Sequence, residues 1–190
     1  MRIMLIDENP ERAATLKQAL CAAGHEVVFE SASALDMLKR VADTQPDMII
    51  IDTESPSRDT LEHLCEVSRD QPRPIVMFTH DGNSDKIRAA LQAGVSSYIV
   101  NGLDPSRIKP ILDVAISRFE AHQAMQFQLD KANSTLAERK ITERAKGILM
   151  KQRNLSEEEA YQAMRKMSME RGLKMSELAQ QVISVAELLG

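Results

Sequence analysis

Three acids sit where short apolar runs give out. Asp7 and Glu8 close Ile3-Met4-Leu5-Ile6, and Asp52 closes the run from Met48 to Ile51. Thr79 ends a third run, Ile75 to Phe78. If these runs are neighbouring strands, the groups after them converge on one edge. Carboxylates in a small concavity repel one another unless a cation joins them, and hard oxygen ligands suit Mg²⁺. One carboxylate can then act as nucleophile toward a phosphoryl group while the metal neutralises oxygen charge. The Thr79 hydroxyl can hydrogen-bond a phosphoryl oxygen. Taken singly, each acid reads equally as a loop residue or a helix cap, and Asp7 lies near a helix start.

A second constellation is basic. Residues 139–153 carry Arg139, Lys140, Arg144, Lys146, Lys151 and Arg153 against Glu143 alone. On a helix, Ile141, Ala145, Ile148 and Leu149 share an inner face, which leaves Arg144, Lys146 and Lys151 projecting outward. Glycine inside a helix costs roughly 1 kcal/mol relative to alanine, so Gly147 wants a reason. Close packing of another helix is one reason. Close approach of RNA is the other, and the residues alone leave both open. The charge itself suits either a polyanion or a solvated helix face.

These groups need elements to hold them. The three apolar runs suit strands buried on both faces of a parallel sheet. Weaker strands fall at Glu26 to Glu30 and Ser97 to Val100. Between them lie helical patterns: Ala13, Leu16, Leu20, Ala23; then Leu35, Leu38, Val41, Ala42; then Leu61, Leu64, Cys65, Val67; then Ile87, Ala90, Leu91, Ala93. Five strands alternating with helices predict a doubly wound α/β sheet, which binds ligands at the carboxyl ends of its strands. After Pro105 the pattern changes. Ile108, Ala115, His122, Leu129 and Leu136 fall seven apart, with Leu112 and Phe119 four residues after the first two. This predicts a long helix whose face either forms a coiled coil or packs on its own chain. Ser156-Glu157-Glu158-Glu159 is a capping box opening a further helix, with Ala160, Met164, Met167 and Ser168 on its inner face. A last helix, Ser176 to Leu189, places Leu178, Val182, Val185, Ala186 and Leu189 on one side.

The chain has 190 residues, enough for one domain of about 110 to 130 residues and a smaller unit. Hydrophobic residues make up 43%, so a packed core is available. No run of 18 apolar residues occurs, and the N-terminus meets an acid after four apolar residues, too soon for a signal peptide. A soluble cytoplasmic protein is expected, with no membrane partner. Cys21, Cys65 and four scattered histidines make neither a disulfide framework nor a transition-metal site. No nucleophile triad or phosphate-cradling glycine loop appears, so an enzyme is the least expected class. The net charge of −4 hides an asymmetry: residues 1–117 carry 18 acids and 12 bases, and residues 118–190 carry 10 acids and 12 bases. An acidic front and a locally basic back suggest two jobs.

Residues 1–120 resemble a response-regulator receiver domain. The match rests on Ile6-Asp7-Glu8-Asn9-Pro10, Ile50-Ile51-Asp52, Phe78-Thr79, Ala93-Gly94 and Tyr98-Ile99-Val100. The resemblance implies that Asp52 accepts phosphate from a histidine kinase. It implies that Asp7, Glu8 and Asp52, with the backbone carbonyl of Glu54, hold Mg²⁺. Thr79 and Tyr98 would couple the site to the signalling face. Receivers usually carry a lysine after the fifth strand, where this chain has Asn101-Gly102. A neutral amide loses the charge-assisted contact to a phosphoryl group. Lys86 and Lys109 lie inside predicted helices, so neither stands as an obvious replacement. Poor phosphorylation of Asp52, or another main switch, is the expectation.

Residues 137–190 resemble an ANTAR domain, the RNA-binding output module of AmiR- and NasT-type transcription antiterminators, with residues 106–138 as a long linker helix. The match rests on Glu143-Arg144-Ala145-Lys146-Gly147-Ile148-Leu149-Met150, Leu155-Ser156-Glu157, Ala160-Tyr161, Met164-Arg165 and Ala179. It implies binding to paired leader-RNA hairpins with six-nucleotide loops, through Arg144, Lys146, Gly147, Lys151 and Arg165. Arg171 and Lys174 join them for their charge and their place before the last helix. Tyr161 reads either as a stacking platform or as a core aromatic. The segment Val100-Asn101-Gly102-Leu103 most resembles the NasT group, which implies control of nitrate and nitrite assimilation and sequestration by a NasS-like nitrate sensor. A homodimer through the long helix is expected. The rival classes are a DNA-binding response regulator and a receiver-type interaction protein.

Overall fold

The structure, a computed structural model, describes residues 1–100 and 107–189. Asn101 and Gly102, where the chain departs from the receiver pattern, lie outside the described residues. The elements run β1 (Arg2–Asp7), α1 (Pro10–Ala22), β2 (Glu26–Ser31), α2 (Met37–Thr44), β3 (Met48–Thr53), α3 (Arg58–Asp70), β4 (Ile75–Thr79), α4 (Ser84–Gln92), β5 (Ser97–Val100), α5 (Ile108–Arg153), α6 (Glu157–Arg171) and α7 (Met175–Leu189). The chain divides into two compact units, Met1–Gln123 and Ala124–Gly190.

In the first unit the five strands form one parallel sheet in the order β2-β1-β3-β4-β5. This is the expected doubly wound sheet. Alternation along the central strands splits the core in two. Ile3, Leu5, Ile50 and Phe78 pack with Leu16 and Leu20 of α1 on one face. Met4, Ile6, Ile49 and Met77 pack with Val41, Leu64, Val67 and Ala90 on the other. Each such side chain stabilises the fold by about 1.5–3 kcal/mol on burial. The second helix begins at Met37, which is fully buried, whereas Leu35 precedes it and is exposed. Gly94 sits after α4 at φ +97°, where a Cβ would fall on the Ser68 hydroxyl. Close approach and left-handed backbone together demand glycine there.

The beginning of α5 takes the second of the two expected alternatives and packs on its own chain. Ile108, Leu112 and Ala115 are buried in the sheet core beside Leu16 and Leu20. Their spacing reports packing on this chain, so any coiled-coil face begins after them.

In the second unit, residues 124–140 of α5 are exposed on every side. Beyond them Ala145, Leu149, Ala160, Met164, Leu178, Ala179 and Ile183 make a small core among α5, α6 and α7. Ala145, Ala160 and Ala179 are all fully buried. Small residues on three helices let the helices come close, and this turns α7 away from the expected face. Ala179 and Ile183 point inward with Leu178, while Val185 is 54% exposed. The capping box forms as expected: the Glu159 amide donates to Ser156 Oγ, and the Ser156 amide donates to Glu159 Oε2 at 2.8 Å. Among the described residues no helix is long and apolar enough to cross a membrane.

Candidate functional site

Strand register brings Asp7 and Asp52 side by side on β1 and β3. Both side chains are buried. The turn after Asp7 is built by its own residues. The Asn9 amide donates to Asp7 Oδ1 at 2.8 Å, and Asn9 Oδ1 caps α1 by accepting from the amides of Glu11 and Arg12. Pro10 starts the helix, where its missing N–H costs nothing. This geometry delivers Arg12 into the acidic site. Its Nη2 lies 2.9 Å from Asp7 Oδ1 and 3.3 Å from Asp52 Oδ1, and its Nε lies 3.4 Å from Asp7 Oδ2. Sequence reading passed over Arg12. The only signal was an arginine in the first turn of a capped helix opening just after the acid.

The two acids differ in environment. Burial, then the charge of Asp7, pushes the Asp52 carboxyl up to about 6, with Arg12 and His80 pulling the other way. Asp52 Oδ1 has no hydrogen-bond partner. Glu8 is exposed and accepts a hydrogen bond from Thr53 Oγ1 at 3.3 Å. A cavity of about 650 Å³ opens here, lined by Glu8, Asn9, Pro10, Glu11, Arg12 and Glu54.

The oxygen donors and the orphaned, buried Asp52 Oδ1 fit Mg²⁺ by chemistry. Their present arrangement is centred on Arg12. Among the described residues no three His, Cys, Asp or Glu groups are gathered around a metal position. The Glu54 carbonyl, an expected metal ligand, accepts from Thr79 Oγ1 at 2.8 Å and from the His80 amide at 3.3 Å.

Thr79 lies next to Thr53 in the ladder, at the same edge as Asp52. Besides donating to Glu54, its hydroxyl accepts from the Asp81 amide at 3.1 Å. Tyr98 donates its phenol to the Asp81 carbonyl at 2.9 Å, and burial pushes that phenol's pKa up. Lys86, in the first turn of α4, reaches Asp81 Oδ2 at 2.8 Å and Ser55 Oγ. Its ammonium, with the Asn83 amide and the Ser55 hydroxyl, pulls Asp81 down to about 2. A helical lysine is thus tied across the loops after β3 and β4, a position that its place in a predicted helix concealed.

The basic constellation in the second unit is reordered by its acids. Lys146, expected to project outward, is 8% exposed, and its Nζ sits 2.7 Å from both Glu143 and Glu157. Its long stem curls under the start of α6, an acid-rich turn that helix-face reasoning on α5 alone does not see. Glu143 and Glu157 raise the Lys146 pKa. Arg144 is exposed and pairs with Glu187 at 2.6 Å. Lys151, Arg165, Arg171 and Lys174 are exposed. A Cβ at Gly147 would meet nothing within 4 Å. Close helix packing is therefore not why glycine stands there. Tyr161 is 43% exposed, so it is not a core aromatic. It lines a hollow of about 680 Å³ with Arg139, Lys174, Glu138 and Glu143.

Comparison with known proteins places these two sites in context. Residues 3–113 match the response regulator receiver domain, and residues 130–183 match the ANTAR domain. The transcriptional regulatory protein PdtaR of Mycobacterium tuberculosis is 26% identical over 182 residues, covering 96% of this chain and 89% of that protein. The chemotaxis protein CheY1 of Helicobacter pylori is 28% identical over 120 residues, covering 61% of this chain and 97% of that protein. Among solved structures, a LuxR-family two-component response regulator from Aurantimonas sp. SI85-9A1 aligns with 61% of this chain and 84% of its own at 25% identity and a TM-score of 0.54. A CheY-like receiver domain protein from Methanospirillum hungatei aligns with 64% of this chain and 97% of its own at 21% identity and a TM-score of 0.56, a likeness of fold.

Proposed function

The chain belongs to the response regulators, joining a receiver domain to an ANTAR domain, and we propose that it acts as an RNA-binding transcription antiterminator. The observation that carries this reading is the open space over Gly147, flanked on α5 by the exposed Arg144 and Lys151. A bare stretch of helix beside cations admits a phosphate backbone or a splayed base that a side chain would keep away. Leader-RNA hairpins with six-nucleotide loops dock here, and their capture prevents a terminator stem. Arg144, Lys151 and Arg165 contact RNA, with Arg171 and Lys174 at the far end of α6. Lys146 holds the surface from beneath through Glu143 and Glu157.

The receiver supplies control. Asp52 is the phosphoacceptor position, its carboxylate the nucleophile toward a histidine kinase's phosphoryl group, and with Asn101 in place of the lysine this transfer is weak and not the main switch. Asp7, Glu8 and Asp52 would hold Mg²⁺, which supplies positive charge to the phosphoryl oxygens when bound. Thr79 and Tyr98 meet at the Asp81 backbone, so a Thr79 hydroxyl turned toward Asp52 would release the Asp81 amide on the loop that Tyr98 holds. The NasT likeness extends the reading to nitrate and nitrite assimilation, with a NasS-like sensor as the sequestering partner. Met125, Leu129 and Leu136, exposed on α5 at heptad spacing, support a homodimer.

A gel-shift comparison of a two-hairpin RNA with duplex DNA tests the output function. The expected result is salt-sensitive RNA binding that Gly147→Leu weakens at least about tenfold with circular dichroism unchanged. Preference for duplex DNA would favour a DNA-binding regulator. Binding to neither nucleic acid would leave the chain an interaction module.

A further inference from the structure

We infer that Arg12 is the resident cation of the acidic pocket, and that a divalent ion enters only by displacing its guanidinium from Asp7 and Asp52. The inference rests on the reading of Asp7, Glu8 and Asp52 as a magnesium site. It adds a residue which that reading lacks.

The contacts define the competition. Two guanidinium nitrogens engage Asp7, at 2.9 and 3.4 Å, and one of them also stands 3.3 Å from Asp52 Oδ1. Those are the faces a shared metal would need. The match is uneven: Asp7 is hydrogen-bonded, whereas Asp52 Oδ1 stays without a hydrogen-bond partner despite the nearby charge. Arginine thus relieves the repulsion between two buried acids without satisfying both. A small hard cation would gain where the guanidinium falls short.

Arg12 is also free to leave. Its side chain is 27% exposed and lines the cavity that Glu8, Glu11 and Glu54 share, so the displaced guanidinium still meets carboxylates. Its backbone does not need to move, because its amide donates to Asn9 Oδ1 and holds the helix start in place. One positive charge in the pocket weakens attraction for a second cation. Metal occupancy, and with it the charge available to a phosphoryl group, is set by a rotamer of α1.

Calorimetric titration of the full chain with Mg²⁺ tests this, with the melting temperature as a second readout. Arg12→Gln removes the internal cation. Lys17→Gln removes an equal charge from the same helix, where Lys17 pairs with Glu30 at the surface. The expected result is Mg²⁺ affinity on the order of tenfold tighter in Arg12→Gln, and unchanged in Lys17→Gln. Mg²⁺ should also raise the melting temperature of Arg12→Gln more than that of the wild type. Equal affinity in wild type and Arg12→Gln, or equal tightening by Lys17→Gln, overturns the role of Arg12. If none of the three binds Mg²⁺, the magnesium reading itself fails and this inference falls with it.

Discussion

Asp52 carries an electrostatic cost that can be measured. In the unfolded chain its carboxyl has its ordinary pKa, and in the folded chain burial and Asp7 move it to about 6. Between those values the native state binds the extra proton. The group's contribution to stability is therefore full below the ordinary carboxylate range and is lost as pH rises through about 6. A shift of about two pH units corresponds to at most about 3 kcal/mol. Asp52→Asn is expected to raise the melting temperature at pH 7.5 and to flatten its decline between pH 4.5 and 7. A variant that melts with the wild type at pH 4.5 and at pH 7.5 alike would show that the cost is absent. Asp7, Asp52 and Thr79 were legible in the sequence because each ends an apolar run. Arg12 was not, because its position depends on how tightly Asn9 and Pro10 turn the chain after Asp7. Lys146 misled for a related reason: helix periodicity fixes where a Cβ points, whereas a four-carbon stem chooses its own destination.

At the scale of elements, α5 serves two purposes that one heptad pattern conceals. Ile108 and Ala115 belong to the sheet core, while Leu129 and Leu136 continue the same spacing on a stretch exposed all round. Sequence alone does not separate burial against a neighbouring strand from burial against another molecule, because both ask for the same apolar spacing. Met125, Leu129 and Leu136 therefore make the informative targets, and Ala115 does not, since a charge there would damage the receiver core. Leu129→Glu is expected to convert a dimer to a monomer in sedimentation without lowering the receiver's melting temperature. A wild type that sediments as a monomer at tens of micromolar would remove the dimer. The final helix was mis-phased in the sequence because Leu178 and Val182 lie on both possible faces. The buried alanines of three helices broke the tie.

For the whole molecule, acids are in excess over residues 1–117 and bases over residues 118–190, and under the proposed function this asymmetry sets how the chain meets RNA. Overall charge is −4, so attraction must be local. Lys151→Gln is expected to weaken hairpin binding and to make the logarithmic salt dependence shallower by about one counterion. An unchanged slope would remove Lys151 from the contact surface. The α/β layering was readable because three unbroken apolar runs and two weaker strand segments alternate with four stretches of helical spacing. The charge asymmetry was equally plain. What the composition did not reveal is how many of those bases are already neutralised by acids of their own unit, since Glu157 and Glu187 are distant in sequence from the groups they pair with.

The burial of Lys146 has a consequence for which bases can change. One ammonium ties α5 to the acid-rich start of α6, while Lys151, Arg165 and Lys174 stand at the periphery. If the proposed RNA capture holds, substitutions among the peripheral bases can retune which transcripts bind without touching the fold, whereas a change at Lys146 removes the cation that bridges Glu143 of α5 and Glu157 of α6.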